Sequence, residues 1–205
     1  MTQLSLWSTL LAMFGRHKDQ PEVVVRQDSP EPGQMFVPTL PPEPPVPLTS
    51  KQRIVAACVA ACVVVAPFTA SFEGEVRHPY RDPAGILTWC YGQTQGKPEL
   101  VYTHTQCGDM LRSDLAKKYA PKVIACVPGL VAPERRNVFA ALLDAAYNAG
   151  PAAVCRSPMA RAARAGQWIR TCTSFPGWYT TARGRTYPGL VRRRLAEKGL
   201  CLKGV

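Results

Sequence analysis

The sequence is short of two kinds of side chain, and each shortage excludes a class of function. Only three histidines occur in 205 residues. Two of them, His78 and His104, follow residue 70, and neither stands at metal-ligand spacing to the other or to a cysteine pair, which argues against a zinc site and against any cofactor held by one. Acidic residues are scarce as well: 14 Asp and Glu against 25 Lys and Arg leave a formal charge of +11. That sign invites a nucleic-acid partner, yet no recognition helix, zinc finger or RNA-binding motif accompanies it. There is no internal repeat. Apolar residues make up 46% of the chain, too many for wholesale disorder. The length suits one domain of about 130–150 residues with an appendage, not two full domains.

Charge and proline are unevenly distributed. Residues 1–70 hold five basic side chains (Arg16, Lys18, Arg26, Lys51, Arg53) and five acids (Asp19, Glu22, Asp28, Glu31, Glu43), so the whole surplus lies downstream. Nine of the 20 prolines fall between Pro21 and Pro47. The dense run Pro38–Pro47 fixes φ repeatedly and removes amide donors, which predicts an extended polyproline-like spacer. Upstream, Leu4, Trp7, Leu11 and Phe14 recur at helical spacing, the pattern of a short amphipathic helix for a membrane or partner surface. Residues 1–50 therefore read as a leader.

Behind the spacer, Lys51 and Arg53 precede Ile54–Ala70, IVAACVAACVVVAPFTA, seventeen residues without a charge. A helix of that length spans about 26 Å, slightly short of a ~30 Å hydrocarbon core, and its alanines add little to partitioning, so insertion is expected to be marginal. A buried core helix is the alternative. Uniform apolarity beside a basic flank favours a signal anchor, residues 51–70, with its positive end in the cytoplasm and residues 71–205 exported. Cleavage is disfavoured, because Phe68 would stand third before a cut after Ala70 and Pro67 would follow a cut after Ala66. Export puts Cys90, Cys107, Cys126, Cys155, Cys172 and Cys201 in an oxidising compartment. Among the fifteen possible pairings, Cys90–Cys107 would flank the hairpin region and Cys172–Cys201 the C-terminal helices, leaving Cys126 with Cys155. Cys58 and Cys62, one turn apart in the apolar segment, are expected either as small fillers of a membrane helix or as partners in thiol exchange.

The readable chemistry begins at Glu73. A carboxyl at the end of an apolar helix, partly withdrawn from water, has its charged form disfavoured and its pKa raised, as a general acid near neutral pH requires. Asp82 lies instead in the turn Arg81–Gly85, before Ile86–Tyr91, a stretch rich in β-branched and aromatic residues; this reads as a hairpin that presents an exposed, ionised carboxylate. One protonated and one ionised carboxyl across a cleft make the constellation for glycosidic hydrolysis.

The residues around this pair carry a family likeness. Phe72, Glu73 and Gly74, then Tyr80, Asp82, Gly85 and Thr88, then Gly92 and Thr94, resemble the catalytic signature of the phage-type lysozymes, a muramidase family that includes phage endolysins. The resemblance continues through Tyr102, Cys107, Leu111 and Asp114, through Phe139–Gly150, and through Pro188–Glu197, so it covers residues 71–203. It implies an α+β, lysozyme-like fold, mainly helical, with a small antiparallel hairpin sheet on one side of a cleft. It also implies hydrolysis of the β-1,4 bond between N-acetylmuramic acid and N-acetylglucosamine. Glu73 would be the acid, Asp82 the base for an attacking water, and Thr88 a hydroxyl that holds that water. Single displacement with inversion would need carboxyls about 6.5–9.5 Å apart. Asn148 matches an amide that binds substrate, although Asn before Gly150 also suits a helix cap. Gln93 departs from the histidine that many members carry, so local hydrogen bonding must differ there.

A weakly apolar segment leading almost directly into the catalytic Glu resembles the signal-anchor-release endolysins. Membrane residence of residues 54–70 would then displace Glu73 from Asp82, and release into the periplasm would assemble the cleft. Expected partners are peptidoglycan and the host inner membrane, not nucleic acid, with the active form a monomer. The basic residues Arg156, Arg161, Arg164 and Arg170, on one helix, and Arg192, Arg193 and Arg194, on the last, would form a face toward anionic wall polymers. A virion component that uses its lysozyme domain at entry is the alternative.

Overall fold

A computed structural model describes residues 48–205, apart from Pro83 and Arg183. The amphipathic and polyproline-like stretches expected before residue 48 lie outside the described residues.

The first element is α1 (Ser50–Ala70). Thr49 starts it with a reciprocal cap: the Gln52 amide N–H donates to the Thr49 hydroxyl, and the Thr49 amide N–H donates to Gln52 Oε1 at 2.8 Å. Pro67 removes one intrahelical bond near the end without stopping the helix. One face is lined by small residues, Cys58, Ala61, Cys62, Val65 and Ala66, all buried in contact with the rest of the core, chiefly through α4 (Arg136–Ala149). The outer face is not polar. Val55, Val59 and Val63, one turn apart, are 61%, 55% and 68% exposed. The segment expected in a membrane is thus, on one side, a helix of the core, while it stays long and apolar enough to cross a bilayer.

Helix α4 lies at the centre. Every side chain from Val138 to Ala146 is buried, as an almost wholly apolar helix requires. Its alanines permit close packing by α1 and by α8 (Pro188–Leu202). It ends at Gly150, whose φ of 86° lies where side chains are rarely tolerated, and Pro151 opens α5 (Pro151–Arg156) where no amide donor is needed.

Between α1 and α4 run the hairpin β1 (Val76–Arg81) and β2 (Leu87–Cys90), α2 (His104–Asp114), a π-helical turn at Leu115–Tyr119, and α3 (Ala120–Cys126). The hairpin is antiparallel, with Tyr80 opposite Thr88, Arg81 opposite Leu87, and an irregularity between Val76 and Tyr80. After α5 come α6 (Pro158–Arg164), α7 (Trp168–Thr173) and a second hairpin, β3 (Thr181–Ala182) and β4 (Arg185–Thr186). This is the mainly helical α+β arrangement with a small antiparallel sheet expected from the sequence.

The basic residues are arranged differently from expectation. Arg156, Arg161, Arg164 and Arg170 are exposed but belong to three short helices, because Ser157 caps α6 and Gly166 interrupts before α7. Of the three arginines on α8, Arg192 is exposed, and Arg193 and Arg194 are buried.

All three disulfides have the expected partners: Cys90–Cys107, Cys126–Cys155 and Cys172–Cys201. They close segments of 17, 29 and 29 residues, and chain-entropy arguments assign each about 3–4 kcal/mol. Cys58 and Cys62 are buried thiols. The denatured, unreduced protein should therefore take up two maleimides, at Cys58 and Cys62, and the folded protein should label far more slowly. Mass spectrometry of labelled peptides reads this directly, and label on any of the other six cysteines would contradict the pairing.

Candidate active site

Glu73 is held first at its backbone. The chain leaves α1 through Ser71 and Phe72, and the N–H groups of Phe72 and Glu73 both donate to the Thr69 carbonyl, at 3.0 and 3.1 Å. The carboxylate is partly exposed, its side chain retaining 28% of its accessible area, and Oε1 accepts from Arg193 Nη1 at 2.6 Å. Glu73 stands, as the sequence implies, at the end of an apolar helix and partly withdrawn from water, but it also has a charged partner that no local pattern indicates, because a guanidinium 120 residues downstream folds onto the carboxylate.

Arg193 is itself fixed. Its Nε and Nη2 donate in parallel to the two oxygens of Asp144, each at 2.9 Å, and both side chains are almost wholly buried. Asp144 Oδ1 also accepts from the Thr69 hydroxyl at 2.6 Å. Burial alone would raise the Asp144 carboxyl, but the Arg193 hydrogen bonds, a hydrogen bond with Glu197 and the Thr69 hydroxyl together hold it below the usual range. The guanidinium of Arg193 also lies over the Phe72 ring, 5.3 Å from its centroid.

The neighbouring Arg194 serves the other side of the same cluster. It is fully buried, stacks on Trp178 at 5.3 Å, and donates from Nη2 to Glu197 Oε1 at 2.7 Å and to Asn148 Oδ1 at 3.0 Å. Arginine is a donor only, so Asn148 must turn its oxygen inward, which leaves its NH2 as the group free to meet a ligand. Asn148 is thus neither the cap of α4, a place taken by Gly150, nor free of protein partners. Burial first, and Asp144 second, push the Glu197 carboxyl far above the ordinary range. Glu197 Oε2 has no hydrogen-bond partner among the described residues.

Asp82 and Thr88 share the first hairpin. Asp82 Oδ1 accepts the N–H groups of Ala84 and Ile86, each at 2.9 Å, and its own N–H donates to the Ile86 carbonyl at 3.0 Å. One oxygen therefore builds the turn, which Gly85 completes at φ 78°. Thr88 is 4% exposed and donates its hydroxyl to the Ile86 carbonyl at 3.0 Å, so it can hold a water only as acceptor. Gln93 is tied down at both ends of its amide. Its Oε1 accepts the Tyr91 amide at 2.8 Å and its Nε2 reaches Asp114 at 3.5 Å.

Two further groups were not singled out from the sequence. Tyr147 donates its hydroxyl to the Tyr91 carbonyl at 2.6 Å, and burial, followed by the Glu73 carboxylate, pushes its phenol upward. Glu75 accepts from the Tyr91 hydroxyl at 3.3 Å and lies 2.8 Å from His104 Nδ1; the His104 contact holds its carboxyl below the usual range. Among the described residues, no three His, Cys, Asp or Glu side chains group as metal ligands would.

Residues 70–197 match the family model of phage lysozyme. The SAR-endolysin of Bacteriophage PS119 is 31% identical over 156 residues, which cover 73% of this chain and 88% of that protein. The SAR-endolysin of Enterobacteria phage P21 is 29% identical over 156 residues, covering 73% and 89%. Among solved structures, the active form of the P1 phage endolysin Lyz has a TM-score of 0.58 and 25% identity, covering 73% of this chain and 94% of that one.

The raised carboxyl of Glu197 gives a pH signature. Between the ordinary Glu value, about 4.3, and the raised folded value, the unfolded chain has lost a proton that the folded chain keeps. Stability therefore falls as pH rises through that window. Glu197→Gln, which mimics the protonated acid, removes this loss. Its melting temperature relative to wild type should climb between about pH 4 and about pH 8, and a constant difference would show that Glu197 is ionised in the fold.

Proposed function

The chain belongs to the phage lysozyme family, and from that premise we propose how this endolysin, a muramidase that hydrolyses the glycan of peptidoglycan, performs its reaction. The observation that carries the assignment is Glu73: a carboxyl held at both backbone and oxygen, yet still open to solvent, directly before the hairpin that bears Asp82. Glu73 protonates the oxygen that leaves as the β-1,4 bond between N-acetylmuramic acid and N-acetylglucosamine breaks. Asp82 takes a proton from a water that attacks the muramic acid anomeric carbon, and Thr88 accepts a hydrogen bond from that water. Attack opposite the leaving group inverts the anomeric configuration. Asn148, its oxygen tied to Arg194, offers its amide N–H groups to an acetamido or hydroxyl oxygen of the sugar. The exposed Arg156, Arg161, Arg164 and Arg170 raise the local concentration of an anionic wall. The protein acts as a monomer, and nucleic acid plays no part.

The apolar outer face of α1 supports a second part of the reading. A helix that needs only a core seldom keeps Val55, Val59 and Val63 toward water. We infer that residues 54–70 first tether the chain in the host inner membrane and then leave it to dock on α4, which frees the active enzyme into the periplasm. The SAR-endolysin relatives support this role over a virion component.

Two experiments test these parts separately. Glu73→Gln should slow the clearing of purified sacculi by about 10²- to 10⁴-fold. Asp82→Asn keeps the turn-building oxygen and removes the charge; it should fall by at least about 10²-fold with an unchanged melting temperature. Full clearing by Glu73→Gln would overturn the acid assignment. Lysine at Val59 and Val63 costs about 2.5–3.5 kcal/mol each at the centre of a membrane helix but points to solvent once docked. The double variant should leave the membrane fraction and keep its specific activity, and retention in the membrane would count against the tether.

A further inference from the structure

Thr69 stands in the last turn of α1, fully buried. A buried helical threonine commonly satisfies its hydroxyl on the carbonyl one turn back; this one donates across to Asp144 Oδ1 on α4, at 2.6 Å. The carbonyl of the same residue accepts the N–H of Glu73. Asp144 holds Arg193 through two hydrogen bonds, and Arg193 holds the Glu73 carboxylate. Starting from Thr69 and returning to it, the path closes: hydroxyl, Asp144, Arg193, Glu73 carboxylate, Glu73 backbone, Thr69 carbonyl. Glu73 is therefore clamped at both ends by one residue of α1.

We propose that the Thr69 hydroxyl is the latch that couples docking of α1 to placement of the catalytic acid, and that Thr69 and Asp144 are positioning residues for Glu73. Asp144 faces the Arg193 guanidinium from α8, the Glu197 carboxyl from α8 and the Thr69 hydroxyl from α1. Only the last of these leaves when α1 is withdrawn. A withdrawn α1 thus carries the backbone anchor of Glu73 away with it and removes one of the donors that fix the acceptor of Arg193. Docking and alignment become a single equilibrium, and a chain with α1 elsewhere holds no aligned acid even though Arg193 and Asp144 are both present.

This inference rests on Glu73 being the acid, so its test keeps the two apart. Full-length Thr69→Val preserves side-chain shape and removes only the hydroxyl, and Thr69→Ser restores it. Each is measured for kcat and KM on sacculi and for maleimide labelling of Cys58 and Cys62 in the folded state, which reports whether α1 is docked. Loss of a hydrogen bond to a charged group predicts a fall of roughly tenfold in kcat for Thr69→Val, with KM within about twofold, both thiols still protected, and kcat recovered in Thr69→Ser. Full kcat in Thr69→Val would overturn the latch. Loss that appears only with exposed thiols, or that Thr69→Ser fails to recover, would overturn it as well, since the hydroxyl would then serve only packing. Glu73→Gln runs beside them: if that variant stays active, the acid assignment fails, whatever Thr69 does.

Discussion

The buried pair of Arg193 and Asp144 is the constraint on which the site depends. Two parallel hydrogen bonds of 2.9 Å join a planar fork to a carboxylate where water is excluded. Such pairs gain little net stability after desolvation, but leaving either partner alone costs about 3–5 kcal/mol. The pair is therefore strict in geometry, and what it fixes is direction. Three elements meet there: α1 through Thr69, α4 through Asp144 and α8 through Arg193. The third guanidinium nitrogen is left pointing at Glu73. One residue on, Arg194 does the same for Asn148, so two consecutive arginines of α8 hold Glu73 and Asn148.

The same junction explains why α1 has an unusual composition. In the folded chain it must bury a face of small residues against α4, and full burial of a side chain such as Val65 contributes about 1.5–3 kcal/mol. In a bilayer the three outer valines would each gain only about 0.3–0.6 kcal/mol. On the proposed tether-and-release reading, an alanine-rich sequence keeps both preferences weak, so that neither solvent would hold the helix irreversibly. A strongly apolar helix would never leave the membrane, and a strongly amphipathic one would never enter it.

Local chemistry was legible in the sequence. The turn at Asp82, the strand rich in β-branched and aromatic residues that follows it, and the disulfide partners all depend on neighbours or on flanking positions. Glu73, Asp82, Thr88 and Asn148 were legible as candidates because their spacing resembles a known family. The long-range junction was not. Asp144 sits in the apolar run Phe139–Tyr147, where a lone acid gives no indication of its partner, and Arg193 is one of three consecutive arginines that read as surface charge. Their pairing across 49 residues is made by the packing of α8 on α4, which no local pattern encodes. Thr69 was concealed in another way. It lay within a segment assigned to lipid, where a threonine is unremarkable, and only the docked helix brings its hydroxyl to Asp144.

The central claim is that α1 has two homes and that the acid is aligned in only one of them. The most direct measurement is the muralytic rate per molecule of the unaltered chain, determined separately for the membrane-held and the released fractions and normalised to the amount of protein in each. The account predicts hydrolysis by the released fraction and essentially none by the membrane-held one. Equal rates per molecule in the two fractions would contradict it.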